Sequence, residues 1–246
     1  MILKFLLKSI EEKTDSNDAV DEYGKEFKKV VMSYFKRISK KIAKKYGKVT
    51  KVDLLLLLSK NNIDDESLLD ETFVEEITYQ INMIFEVSGH KALKQLGTKA
   101  EVSTKEVSKL ALQYATDHAA GLITMIDETT RNLLRTEIAN GVELGLTTDE
   151  IKYNIMNSSS FSEARADRIA RTEIVNAHIQ GNMQTWDKSG LVDKVEWYTG
   201  RDERTCSICN SNHKHVVKVG NAFPSGSFHP PAHPHCRCDL LPVLNS

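Results

Sequence analysis

The chain has 246 residues, 40% of them hydrophobic and 27% charged, with a formal net charge of −1. That length suffices for one large domain or two small ones with a substantial core, and the balanced charge excludes a uniformly basic nucleic-acid coat while allowing local basic patches. The longest apolar run, Leu54 to Leu58, is far short of the roughly 20 residues of a membrane span. The opening MILKFLLKSIEEK lacks the apolar stretch and cleavage site expected of a secretory signal.

All five prolines follow residue 223, and all four cysteines follow residue 205. A proline costs about 3 kcal/mol inside a helix, so the long proline-free body is permissive for helices. Apolar periodicity predicts them at 18–46, 51–60, 66–96, 104–144, 148–157 and 161–188. The starts Thr50-Lys-Val-Asp53, Ser103-Thr-Lys-Glu106, Thr147-Thr-Asp-Glu150 and Ser160-Phe-Ser-Glu163 have a hydroxyl three residues before an acid, the pattern of a reciprocal N-terminal cap. Gly97, Gly145 and Gly190 fit as C-terminal stops. The 104–144 segment is long, with Gly121 or Asp127 as sites for a kink.

Residues 25–51 carry eleven basic side chains against Glu26 alone, while Phe27, Val30, Val31, Tyr34, Phe35, Ile38 and Ile42 recur at helical spacing. One reading is the solvated face of an amphipathic helix. The other is a footprint for DNA phosphates or an acidic partner, with Lys36, Arg37, Lys40, Lys41, Lys44 and Lys45 as the contacts. Residues 52–86 then turn acidic, which favours neutralisation within the fold.

After Gly190 the period changes. Val195–Thr199, His215–Val219 and Arg237–Leu241 read as short strands, the last stopping before Pro242. Three short strands bury little and need a staple. Cys206-Ser-Ile-Cys209 and His233-Pro-His-Cys236-Arg-Cys238 supply one, as two closely spaced ligand pairs suited to a tetrahedral structural zinc. The preferred set is Cys206, Cys209, His233 and Cys236, with Cys238 able to replace Cys236 or His233. Free thiols and disulfides are the competing readings. His213, His215, His229 and His235 are expected as loop or surface histidines. No H-E-x-x-H, G-x-S-x-G, phosphate-binding loop or deaminase pattern occurs, and four protein ligands leave zinc no open position. The expected class is therefore mainly α with a small C-terminal β module: an elongated helical body followed by a zinc-stapled, three-stranded unit, without enzymatic activity.

The string Ala170-Arg-Thr-Glu173, Gly181, Trp186, Gly190, Trp197, Asp202-Glu-Arg-Thr-Cys-Ser-Ile-Cys209 and Pro231-Ala-His-Pro-His-Cys-Arg-Cys238 resembles the head-morphogenesis domain of Mu F-like phage minor capsid proteins, over about 105–246. On this resemblance Arg171, Glu173, Trp197, Asp202 and Arg204 are motif residues. One departure is His213-Lys-His215, where relatives often have a turn with glycine; here none occurs before Gly220. The resemblance implies a minor head protein of a tailed phage or prophage, made in the host cytoplasm and carried in the virion. It implies a place inside the capsid near the portal vertex, acting in procapsid assembly, packaging or DNA delivery. Expected partners are the portal protein, with major capsid or scaffolding protein and double-stranded DNA as further ones, and no membrane. The expected division is 1–100, a variable helical region; 101–190, the helical core; and 191–246, the β module. Two alternatives stand beside this: a metal-dependent nuclease using the C-terminal His/Cys cluster, and a free-standing DNA-binding module using the basic helix. The segment Trp197, Tyr198 and Phe223 is read mainly as core under the hairpin, with an exposed aromatic anchor as the other reading. Arg201 and Arg204 are placed to pair with Asp202 or Glu203, or to meet phosphate.

Overall fold

The computed structural model describes residues 16–46, 70–97 and 100–244. The expected helix at 51–60, its cap at Thr50–Asp53, and Lys48 and Lys51 lie outside these residues. Helices α1 (Ser16–Tyr46), α2 (Glu71–Leu96), α3 (Thr104–Glu143), α4 (Thr148–Met156) and α5 (Glu163–Ser189) lead into strand β1 (Val192–Tyr198). A short helix α6 (Ser207–Asn212) and strands β2 (Val216–Lys218) and β3 (Asp239–Leu244) complete the order. Helix α3 runs unbroken through Gly121 and Asp127.

Two of the expected caps form as the spacing requires. Ser103 Oγ accepts from the Glu106 amide at 3.2 Å, and Glu106 returns a bond to the Ser103 amide at 2.9 Å. Thr147 and Glu150 make the same reciprocal pair at the start of α4. At α5 the cap sits later than expected. A 3₁₀ turn occupies Ser159–Phe161, and Ser162 Oγ accepts from the Arg165 amide at 3.2 Å.

The described residues form two compact units. The first gathers those of 1–26, 78–116 and 168–246; the second gathers 27–77 and 117–167. In the second, the apolar stripe of α1 is buried: Phe27, Val31, Tyr34, Phe35, Ile38 and Ile42. Tyr34 stacks on Phe73 with ring centroids 3.9 Å apart, and burial pushes its hydroxyl pKa well above the usual tyrosine range. Arg165 lies 4.9 Å over the Phe35 ring and donates to Thr130 Oγ1 (3.0 Å) and to the carbonyls of Ser160 (2.6 Å) and Ile126 (3.1 Å). One guanidinium thus satisfies several buried acceptors that would otherwise cost energy unpaired.

In the first unit, α2 and α5 cross with almost no space between backbones. A Cβ on Gly181 would fall 2.4 Å from the Phe85 carbonyl oxygen and 3.1 Å from Ser88 Cβ. A Cβ on Gly89 would meet Val107 Cγ1 at 2.6 Å and Thr185 Oγ1 at 2.8 Å. Beside the crossing, Ser88 Oγ bonds His178 Nδ1 at 2.8 Å, and His178 Nε2 faces Asp239 at 3.2 Å. This chain of bonds ties both helices to the first residue of β3.

Gly190 takes a left-handed conformation (φ 65°), cheap only for glycine, and turns the chain from α5 into β1. The sheet is antiparallel in the order β2-β1-β3. Register aligns Lys194 with Lys218 and Glu196 with Val216 on one side, and Glu196 with Leu241 and Trp197 with Leu240 on the other. Val195, Trp197 and Leu240 face a core shared with Ala92, Leu96, Val175, Ile179, Trp186 and Phe223. Trp197 is fully buried and meets Phe223 edge-on at 5.0 Å, while Tyr198 is exposed, as strand alternation requires. β3 does not stop before Pro242, as the sequence suggests, but runs through it to Leu244. The reason is position: β3 is an edge strand, where a missing ladder donor is tolerated.

Candidate metal centre

The site grows from two turns. In the first, Cys206 caps α6 and its sulfur accepts from the Cys209 amide at 3.4 Å, so a C-x-x-C turn aims both sulfurs the same way. In the second, the Cys236 amide bonds the His233 carbonyl at 3.1 Å. The turns meet: His233 Nε2 lies 3.1 Å from both Cys206 Sγ and Cys209 Sγ, and Cys209 Sγ lies 3.8 Å from Cys236 Sγ. Two trios of ligand atoms result, Cys206–Cys209–His233 and Cys209–Cys236–Cys238, each mutually within 4.8 Å, with Cys209 common to both. The five expected ligands thus fall into two trios that share Cys209, and no set of four among the described residues lies mutually within that distance.

The environment fits a thiophilic cation. Cys209, Cys236 and Cys238 are buried in the core beneath the sheet. Burial pushes the Cys209 thiol up to about 12, and the hydrogen bond with Cys238 followed by burial pushes Cys236 up as well. The hydrogen bond from Cys236 pulls Cys238 down. Buried thiols of this kind become thiolates when a divalent ion supplies the opposing charge, releasing protons as it binds. His233 is prepared for the same role. Its Nδ1–H donates to the Pro234 carbonyl at 2.8 Å, leaving Nε2 as the lone-pair nitrogen toward the sulfurs. The cluster can thus hold a metal ion through sulfur and imidazole. No free cysteine among the described residues is paired in a disulfide.

The remaining histidines lie elsewhere. His229 Nδ1–H donates to the Pro230 carbonyl and its Nε2 accepts from Gln180 at 3.3 Å. His213 Nδ1 accepts from the Thr199 amide at 3.2 Å, and burial, then the nearby Arg201 charge, lower its pKa. His215 and His235 are exposed.

Sequence reasoning missed the partner of Asp202. Arg237, between two of the cysteines, grips it with a two-pronged fork at 2.6 and 2.8 Å. Asp202 also accepts from the Arg204 amide (3.0 Å) and guanidinium (3.2 Å). The Arg237 fork first, then these bonds, holds the Asp202 carboxyl far below the usual carboxylate range. The fork spans 35 residues and joins the loop before the first turn to the second turn. Replacing Arg237 by lysine keeps the charge but removes the fork. Competition with a chelator is expected to show metal affinity reduced about tenfold, as for other residues that orient ligands.

Where glycine is missing after the first turn, Lys214 adopts the left-handed conformation (φ 63°) itself. Asn212, fully buried, closes the following loop by bonding Ser225 through both ends of its amide, at 2.8 and 3.0 Å.

The other motif residues take separate places. Glu173 is buried on α5 and its charge, after burial, helps raise the Tyr114 pKa. Arg171 is exposed on the same helix. Of the basic residues, Lys36, Lys40, Lys41 and Lys44 are exposed. Arg37 instead pairs with Asp70 at 2.5 Å and Glu76 at 3.4 Å, and so belongs to the fold of its unit. The side chain of Lys45 lies outside the described residues. No helix among the described residues is long and apolar enough to cross a membrane.

No curated protein and no solved structure matches the chain. Residues 132–241 match the model of the family described as Phage Mu protein F like protein, a span that ends within β3 and takes in the whole cysteine–histidine cluster. That stretch, somewhat under half of the chain, is similar to the Mu F-like proteins of phage head morphogenesis.

Proposed function

We propose that this chain is a non-enzymatic minor component of a tailed-phage or prophage head, docking at the portal vertex inside the capsid. There it assists procapsid assembly, DNA packaging or delivery, and residues 191–246 form its docking head. The observation that carries this reading is the meeting of two ligand trios, Cys206–Cys209–His233 and Cys209–Cys236–Cys238, within the region that matches the Mu F-like family. Zinc held by Cys206, Cys209, His233 and Cys236, or with Cys238 in place of Cys236, is a structural staple. Four protein ligands leave no position for a water nucleophile. Purification of tagged chain from infected or induced cells tests the docking: recovery of portal protein is expected. Recovery of nucleic acid alone, or plasmid nicking that depends on added metal, would contradict it.

A second reading concerns α1. Lys36, Lys40 and Lys44 recur every fourth residue, so they share one helix face, and with Lys41 they are exposed. This face is proposed to meet DNA phosphates within the head. Affinity for duplex DNA should fall steeply with salt, and neutralising the four lysines should flatten that dependence.

A further inference from the structure

The sheet has a second face, opposite the one packed on the core. Three residues there, Tyr198, Val216 and Leu241, are 46%, 47% and 41% exposed, although they are large and apolar. Register sets Val216 and Leu241 on either side of Glu196 in one row across all three strands. In the next row, Lys194 of β1 lies directly opposite Lys218 of β2. Both lysines are exposed, and neither has an ion-pair partner among the described residues. Like charges placed directly across a sheet are destabilising. Two lysines thus face one another beside a row in which Val216 and Leu241 flank Glu196.

We infer that this open face is a docking surface for an acidic, apolar peptide segment of a partner protein. A carboxylate set between Lys194 and Lys218 relieves their repulsion, and neighbouring aliphatic or aromatic side chains cover Val216, Leu241 and Tyr198. The face, not an edge, is the docking element. β2 offers only three residues for strand addition, and β3 is interrupted as a donor edge by Pro242. A nucleic acid fits less well. On this face it would find one exposed ring for stacking, Tyr198. The inference rests on the sheet alone and needs neither the portal nor the DNA reading to hold.

The test uses the 246-residue chain as purified and a displayed library of random 12-residue peptides. Selected peptides are then measured in solution by fluorescence anisotropy. The expected result is enrichment of peptides that place Asp or Glu next to Leu, Ile or Phe. Their affinity should fall at least tenfold in the Lys194→Glu, Lys218→Glu double variant and in Val216→Ser, and weaken with added salt. Near-ultraviolet circular dichroism, which reads the packing of Trp197 against Phe223, establishes that each variant is folded. If the double glutamate variant is not, Lys194→Gln with Lys218→Gln takes its place. The inference is overturned if nothing is enriched, if the enriched peptides lack carboxylates, or if their binding is indifferent to these substitutions. It is equally overturned if a 20-nucleotide oligomer binds and loses its affinity in the same variants.

Discussion

Replacing Cys209 by serine is expected to abolish metal binding and to unfold residues 192–244 together. Cys209 is the one residue common to both ligand trios, and its sulfur lies within 3.8 Å of Cys236 Sγ and 3.1 Å of His233 Nε2. It is also part of the apolar core that includes Trp197, Phe223 and Leu240. A structural zinc contributes on the order of 10 kcal/mol to the folding of a small module, more than a three-stranded sheet of this size supplies by burial. The measurements are metal content, the near-ultraviolet signal of Trp197 against Phe223, and far-ultraviolet circular dichroism. The first two should be lost while most helical signal persists. Retention of one metal equivalent with an unchanged near-ultraviolet spectrum would show that Cys209 is not a ligand.

The second large effect lies away from the metal. Gly181→Val places a branched side chain where even a Cβ would sit 2.4 Å from the Phe85 carbonyl oxygen. That atom is backbone, so α2 and α5 must separate, at an expected loss of about 3 kcal/mol in urea unfolding. Gly121→Ala is the matched control. It lies in a helix with nothing within 4 Å of the new methyl group, and should gain about 0.5–1 kcal/mol by restricting the unfolded chain. If both substitutions behaved alike, close contact at the crossing would not be what Gly181 provides.

What could be read from the sequence was mostly local. The caps at Ser103 and Thr147 follow from a hydroxyl and an acid three residues apart, and both form. The grouping of the cysteines with His233 was legible because each turn carries its sulfur or imidazole groups within a few residues. Trp197 and Phe223 lie in the core as read, but Tyr198, grouped with them, is exposed, because alternation turns it to the other face of β1. Features set by tertiary placement were not legible. Pro242 signals a strand end unless the strand is known to lie at an edge. At α5, Ser160 and Ser162 offer equally good hydroxyls, and only the preceding 3₁₀ turn decides between them. Asp202 had nearer candidate partners in Arg201 and Arg204, and the fork to Arg237 depends on two turns that meet in space. Arg37 looked like one more surface cation of α1, yet Asp70 and Glu76 lie within ion-pair distance. Lys214 shows the reverse case, a left-handed position that the sequence did not mark with glycine.

The cluster of Cys206, Cys209, His233, Cys236 and Cys238 is proposed to be a metal centre closed by the protein's own side chains. X-ray absorption at the zinc edge, on full-length protein purified without added metal, tests it most directly. The expected result is one zinc per chain with three sulfurs at about 2.3 Å and one nitrogen at about 2.0 Å. A metal-free chain with residues 192–244 still ordered, or a zinc with an oxygen ligand from water, would contradict it.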